Sequence, residues 1–467
     1  MPSRHRRPSR WSTWKWKWPA LGVSVLVVTL ALAAAITGAP QQKPLNSAAG
    51  PHTSRTPGPL TVPPAAPGSS VSPQPTKATQ STKAMATSCP APTDKATITV
   101  GAGGRYPTIQ AAVDAAGAGD TIEIARGTYH ETVTINKSGS AGAYLTLRAK
   151  AGATVTIDGG NTLPSSSQGL VTLEGERYVR LVGLNIVNSH QHGIYAGHSS
   201  NLIIEDNKVS HTQDGGIFVG DGSGVQVVCN RVDHANSAAS GGNVDAAANE
   251  AISLFDVTDF QIRGNTVSEN YEEGVDVKNG TRGGTVQNNS VYQNQGPNIY
   301  ADGASNVNIF ANRVYGAKGS SKAGITLGVE SGGNASNVKI YNNVIYENAG
   351  GGIDLWIGHY SNVQIFYNTI YSNGQPAIRA TDGVVSDSIA RDNIAYDNSL
   401  TGVSGFSLSG NVTSNPLFVN LAGNDVRLKS GSPALNRGSV SGAPTTDFAG
   451  HLRPIGSAPD IGAYESG

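Results

Sequence analysis

Between Gln168 and Asn398 one unit of alternating aliphatic and polar residues recurs. An aliphatic residue opens its first half: Ile194, Ile217, Ile252, Val275, Ile299, Ile325, Ile353 and Ile378, at successive gaps of 23, 35, 23, 24, 26, 28 and 25 residues. Its second half has the form Val-x-Ile-x-x-Asn, as at Val307–Asn312, Val338–Asn343 and Val363–Asn368. Alternation with a period of two predicts short strands, and a fixed repeat of this length predicts a coil in which each rung pairs with its neighbours in parallel. Leucine-rich repeats would need regularly placed leucines, and propeller blades a period nearer ~40 residues. The closing asparagine falls at Asn185, Asn207, Asn230, Asn265, Asn289, Asn312, Asn343, Asn368 and Asn393. Asparagine tolerates left-handed backbone and its amides can bond from coil to coil, so these residues are read as structural.

Flanking patterns complete an all-β solenoid. Ile98–Val100 reads as a strand. Pro107–Ala116 reads as a short helix with Ile109, Ala112, Val113 and Ala116 on one face, and Asp120–Ile124 and Val133–Ile135 alternate as strands. The run Tyr106-Pro107-Thr108-Ile109-Gln110-Ala111-Ala112-Val113-Asp114-Ala115-Ala116, followed by Gly127-Thr128-Tyr129-His130-Glu131, resembles the N-terminal cap of the pectin-lyase-like superfamily. The resemblance implies a right-handed parallel β-helix whose helix covers an open end that would otherwise expose strand edges. Asn415-Pro416-Leu417-Phe418, Ser432-Pro433-Ala434-Leu435 and Asp460-Ile461-Gly462-Ala463-Tyr464-Glu465 resemble the closing segment of secreted bacterial β-helix proteins and are assigned to the cap. The expected organisation is 96–160 for the N-terminal cap and first coils, 161–400 for the repeats, and 401–467 for the C-terminal coil and closing segment.

Composition divides the chain. Residues 1–39 carry Arg4, Arg6, Arg7, Arg10, Lys15 and Lys17, then an uncharged apolar run from Leu21 to Ile36, with small residues at Ala33, Ala35 and Ala39. This is a signal peptide or an N-terminal signal anchor, and either places the remainder of the chain outside the cell. Residues 40–95 are rich in Pro, Ser, Thr and Ala and are expected to be a disordered tether. The net charge of zero hides an asymmetry: residues 1–93 hold ten Lys or Arg and no acid, leaving 23 basic against 33 acidic groups, net −10, from Asp94 onward. An acidic folded region excludes nucleic acid as partner, and disfavours an acidic polysaccharide unless a cation bridges the two. The two cysteines, Cys89 and Cys229, are read as unpaired thiols, with Cys229 packed inward as a small hydrophobe. The chain is expected to be a monomer that meets a membrane only through its first segment.

Candidate chemistry lies on the strands that open each unit. With the aliphatic column inward, the next and third-next residues face outward. They read Tyr195, Phe218, Ser253 with Phe255, Asp276 with Lys278, Tyr300 with Asp302, Thr326, Asp354 with Trp356, and Arg379 with Thr381. Aromatic rings offer apolar faces for sugars, so Phe218, Phe255, Tyr300 and Trp356, with Arg379 in the same outward column, are candidate polysaccharide-binding residues. The longest insertion, Ala235–Asn249, is expected to wall a cleft. Two reactions fit the charged rungs. In a lyase, Lys278 removes the C5 proton of a uronate while Ca²⁺ on Glu250, Asp276 and Asp302 acidifies it. In a hydrolase, two of Asp276, Asp302 and Asp354 act as acid and base. A glycan-binding or surface-structural β-helix without catalysis is the third reading. His190, His192, His198 and His211 are read as surface turn residues, and Glu272 and Glu273 as loop residues at the mouth of the Asp276 rung.

Glu250-Ala251-Ile252-Ser253-Leu254-Phe255, with Val275-Asp276-Val277-Lys278-Asn279-Gly280, resembles the paired rungs of the alginate lyase and chondroitinase B family. There the first rung supplies a catalytic Lys and the second an Arg. Here Phe255 stands first and Lys278 second, so only Lys278 matches in charge and the family's base does not carry over. The Asp-Pro-His-Asp motif of hexuronate epimerases and the paired-Asp and Arg-x-Lys signature of polygalacturonases are absent.

Overall fold

A computed structural model describes residues 94–241, 247, 249–330, 334–400 and 403–466. The basic apolar segment at 1–39 and the tether as far as residue 93 lie outside the described residues, as does Asp245 of the insertion. Among the described residues no helix is long and apolar enough to cross a membrane.

The chain winds right-handedly through three parallel sheets, of 13, 11 and 11 strands. The first sheet holds the Val-x-Ile strands, such as Ser305–Phe310. The second holds the strands opening on the aliphatic column, such as Ile252–Phe255. The third holds three-residue strands that come after the asparagine, such as Arg231–Asp233. The eight aliphatic residues from Ile194 to Ile378 pair in register, rung on rung. All eight are fully buried, each worth about 1.5–3 kcal/mol of transfer free energy. A one-residue slip would turn this whole column outward, so the hydrophobic pattern fixes the register. The helix forms as Ile109–Ala115, with the Thr108 hydroxyl accepting from the Ala111 amide, and buries Ile109, Ala112 and Val113.

The asparagines form a continuous ladder from Asn207 to Asn411. Each Nδ2 donates to the Oδ1 of the next coil at 2.9–3.1 Å. The same oxygen accepts the backbone N–H of the coil before. Three expectations are corrected. Asn185 is not a rung, because it pairs with Lys208; Leu184 holds the ladder position and its N–H donates to Asn207 Oδ1. The left-handed backbone belongs to the residue before each ladder asparagine, among them Asp206, Asn288, Ala311, Asn342, Tyr367 and Asp392. Cys229 occupies one of these corners, with φ of 56°; it is half-buried rather than packed in the core, and it is disulfide-bonded rather than a free thiol.

A second ladder lies five residues further along most coils, and the repeat motif alone does not predict it. It runs through Asn270, Asn294, Asn298, Asn348, Asn373 and Asn398, at 2.8–3.1 Å. Where the repeat supplies Ala317 instead, Asn298 fills the gap and bridges to Asn348.

The closing segment packs differently from the end cap expected. Phe406–Ser409 adds the last strand of the first sheet, after which the chain folds back along the outer side of the third. Tyr346 and Tyr371, stacked 5.0 Å apart, are buried there with Phe418, Val426, Leu428 and Ile461. The Thr446 carbonyl accepts from Asn342, and Arg453 lies over the Tyr367 ring at 4.6 Å while pairing with Glu465 at 2.9 Å. An outward stack of tyrosines is apolar surface that a parallel coil cannot cover by itself, and this segment covers it.

Candidate functional site

The predicted outward column exists. Tyr195, Phe218, Ser253, Asp276, Tyr300, Thr326, Asp354 and Arg379 align rung by rung, and Phe255, Lys278 and Asp302 align two residues further on. The column is far less open than alternation implies. Asp276 is 2% exposed, Phe218 5%, and Tyr300 and Asp302 6% each. The segment after Gly328 supplies part of the cover: the Glu330 amide donates to Asp302 Oδ1 at 2.9 Å, and the Tyr300 hydroxyl donates to Glu330 Oε1 at 2.8 Å. Tyr300 can lie flat across the next rung because Gly328 has no side chain; a methyl there would sit 2.0 Å from the phenol oxygen.

Lys278 is the centre of the charge. Its ammonium donates to both oxygens of Glu250 at 2.7 Å and lies 3.6 Å from Asp276 Oδ2. Ser253 donates to Glu250 Oε2 at 2.7 Å. Burial alone would lower the lysine pKa, but Glu250 and Asp276 outweigh it and hold the group well above its ordinary value. Lys278 therefore stands as an ammonium ion, not as the free amine that a proton acceptor requires.

The carboxyl groups around it are driven apart in proton affinity. Burial raises Glu250, yet the adjoining ammonium outweighs burial and holds this carboxyl below its usual range. Burial, then the Glu250 charge, pushes Asp276 well above its ordinary value, and its Oδ1 is buried with no hydrogen-bond partner among the described residues. Burial and Glu250 raise Glu273 to about 7, and burial raises Asp302 to about 6. For Asp302 the sign is direct. The fold holds this proton more tightly than the unfolded chain, so the associated stability is present below pH 3.8 and lost as pH rises to about 6. Asp302→Asn is expected to stabilise the protein by about 2 kcal/mol near pH 8 while leaving stability near pH 4 unchanged. Thermal denaturation at both pH values checks this; an equal change at both would contradict it.

Other predicted residues separate from this centre. Asp354 accepts from Arg379 Nη2 at 2.7 Å and from Thr381 at 2.8 Å, so these two candidates neutralise each other. Asp354 stands three rungs from Asp276, roughly 14 Å at ~4.8 Å per rung, too far to share a glycosidic bond with it. Among the described residues no three His, Cys, Asp or Glu side chains converge so as to hold a metal ion. Glu250, Asp276 and Asp302 thus do not fit calcium as they stand: both Glu250 oxygens serve Lys278, and Asp302 serves the Glu330 amide. Phe255 and Trp356 are half-buried along the same rows.

One histidine departs from expectation. His192 is 2% exposed, not a surface turn residue, whereas His190, His198 and His211 are exposed as expected. Asn249 Nδ2 donates to its Nε2 at 3.1 Å, which leaves Nδ1–H to donate to the Gln168 carbonyl at 2.9 Å. Burial lowers its pKa, so the ring is neutral, and it packs against Tyr195 and Phe218, themselves stacked at 5.1 Å. The signal in the sequence is an offset: His192, Glu250 and Glu273 each stand two residues before their aliphatic column residue. Glu273 is a loop residue as expected, and the same offset sets it where the Glu250 and Lys278 charges act on it.

Residues 91–306 match the family model described as Pel9A-like, right-handed β-helix region, and residues 239–384 and 277–436 match the right-handed β-helix region model. An uncharacterized Bacillus subtilis protein, YwoF, is 30% identical over 287 residues, which is 54% of this chain and 60% of that protein. Pectate lyase PEL9 of Emericella nidulans is 36% identical over 106 residues, 20% of this chain and 26% of that enzyme. The chain therefore spans less than two thirds of either relative. Among solved structures, PfbA, a surface adhesin of Streptococcus pneumoniae, superposes with a TM-score of 0.50 at 15% identity, over 65% of this chain and 85% of the adhesin. At that identity the likeness is one of fold. With the three-sheet coil and its register, these matches make the chain a member of the pectate-lyase-like superfamily of right-handed parallel β-helices.

Proposed function

We propose that this chain is an extracellular carbohydrate-active protein that cleaves a uronate-containing polysaccharide by β-elimination on its second sheet. The observation that carries the reading is the Lys278 ammonium set among carboxyl groups of opposed proton affinity, one rung from Asp302. The Pel9A-like match spans this cluster, and a pectate lyase is among the relatives. Elimination needs positive charge against the sugar carboxylate, a base for C5 and an acid for the leaving oxygen. In this reading Lys278 exchanges Glu250 for the substrate carboxylate, and so acidifies C5. Asp302, mostly ionised at neutral pH, takes the C5 proton. The C–H electron pair forms the C4=C5 double bond, the C4–O bond breaks with its own pair, and protonated Asp276 gives its proton to that oxygen. No step is routed through calcium.

A second reading, hydrolysis, is favoured by one distance. Asp276 and Asp302 lie one rung and two residues apart, roughly 8 Å, within the separation used by inverting glycosidases. Product analysis separates the two. Elimination leaves an unsaturated uronate that absorbs in the ultraviolet; new reducing ends without that absorbance would establish hydrolysis. Binding of a glycan with neither product would leave the chain a surface binding protein.

A further inference from the structure

We propose that the outer face of the first sheet around Tyr341 is a second binding site, for a straight, neutral, β-linked polysaccharide. It is independent of the elimination reading, because it uses another sheet, another ligand and none of the residues around Lys278.

The ground is an exposed array that repeats with the coil. On the strands Ser305–Phe310, Lys339–Tyr341 and Gln364–Phe366 the aliphatic positions are buried, and the residues between them face outward in rows. One row is Asn308, Lys339 and Gln364, and the next is Phe310, Tyr341 and Phe366, both in register. Ahead of them runs a third asparagine ladder, this one on the surface. Asn337 Nδ2 donates to Asn306 Oδ1 at 2.9 Å, Asn362 Nδ2 to Asn337 Oδ1 at 2.8 Å, and Gln364 Nε2 to Asn362 Oδ1 at 2.9 Å. All three asparagines are exposed. Among the described residues these side chains bond only one another, so each amide in the ladder keeps hydrogen-bonding capacity for a partner in solvent. Groups already held by their neighbours lose little freedom when that partner binds.

An apolar strip lies alongside. The rings of Phe310 and Tyr341 stack at 4.8 Å, and those of Tyr341 and Phe366 at 5.0 Å. Phe310 and Tyr341 are half-buried, while Arg391 lies over Phe366 at 5.1 Å and ends the row. The closing segment borders the strip: the Thr446 carbonyl accepts from Asn342, the Ser439 carbonyl from the Tyr367 hydroxyl, and the Gly442 carbonyl from Arg391. The array is the floor of a groove with that segment along one side.

Charge and shape name the occupant. Among these three rows Lys339 is the single charged residue, in a folded region of net charge −10. A polyanion finds no cluster of cations here and a polycation no anions, whereas amides that both donate and accept match hydroxyl groups. The rungs repeat by translation, roughly 4.8 Å apart, so the partner that meets every rung is itself a straight chain with a regular repeat.

The test is calorimetric titration of the full chain with cellohexaose and with xylohexaose. Wild type should bind at least one of them, and excess hexagalacturonate should leave that binding unchanged, whichever way the elimination assay turns out. Tyr341→Ala should weaken it about tenfold or more, and Asn337→Ala, at an exposed position, about three- to tenfold. Failure of wild type to bind either neutral chain would overturn the proposal, as would displacement by hexagalacturonate or unchanged affinity in the variants. A wild-type dimer that these substitutions dissociate, seen by light scattering, would also overturn it, by making the face an interface between copies. If Tyr341→Ala does not fold by circular dichroism, Asn337→Ala decides alone.

Discussion

Lys278→Ala is expected to reduce polysaccharide turnover by about 10²–10³-fold, the usual consequence of removing one preorganised charge from a reacting centre. The same change is expected to destabilise the fold by about 3–5 kcal/mol, because it leaves buried Glu250 ionised with no counter-charge. The two effects have different signatures. Activity is lost because the substrate carboxylate has no cation to meet. Stability is lost because both Glu250 oxygens lose their positive partner, in a pair whose side chains are each 14% exposed. Urea unfolding in calcium-free buffer and kinetics on the folded fraction check them separately. A variant as stable as wild type would show that the pair is solvated and contributes little, as exposed ion pairs do. A stable variant with normal turnover would remove Lys278 from the chemistry altogether.

The largest purely structural effect is expected at the asparagine ladder. Asn289→Ala should cost about 3–5 kcal/mol, since it strands several buried groups at once, each costing about 1–3 kcal/mol when left without a partner. Asn289 Nδ2 donates to the Ile262 carbonyl at 2.9 Å and to Asn312 Oδ1 at 3.0 Å, and its Oδ1 accepts both the backbone N–H and Nδ2 of Asn265. In a solenoid each coil contacts only its neighbours, so the loss is not shared across the molecule and local opening should centre on the coils of Asn265 and Asn312. Hydrogen exchange should show that localisation. Asn185→Ala, the off-ladder asparagine, is the control, with a change within about 0.5 kcal/mol. Equal losses at Asn185 and Asn289 would contradict the ladder.

What the sequence made legible was everything that repeats. The aliphatic column from Ile194 to Ile378 could be aligned without a structure because a buried position tolerates so few residue types, and every pairing it implied is present. The outward row through Asp276 and Lys278 came from the same period. The misses share a cause: each depends on something the period does not contain. Asn185 matched the motif but not the register, which is set by the strand pairing of Lys208. The cover over Asp302 and Tyr300 comes in part from a segment around Glu330 that belongs to a different coil. His192 opens its strand and Glu273 lies just before its own, at the edge of the alternating pattern, and only counting back from the column places them in one row with Glu250. The protonation of Lys278 depends on distances of 2.7 Å to a carboxylate 28 residues away, which no local pattern encodes.

Elimination at the Lys278 cluster without a divalent ion is the central claim. Its most direct measurement is the ultraviolet absorbance of unsaturated products during incubation with a panel of uronate polysaccharides in the presence of a chelator, for wild type and Lys278→Ala side by side. Absorbance should grow with wild type despite the chelator, and stay flat with the variant. Reducing ends appearing without absorbance, or absorbance of equal rate from the variant, would contradict it.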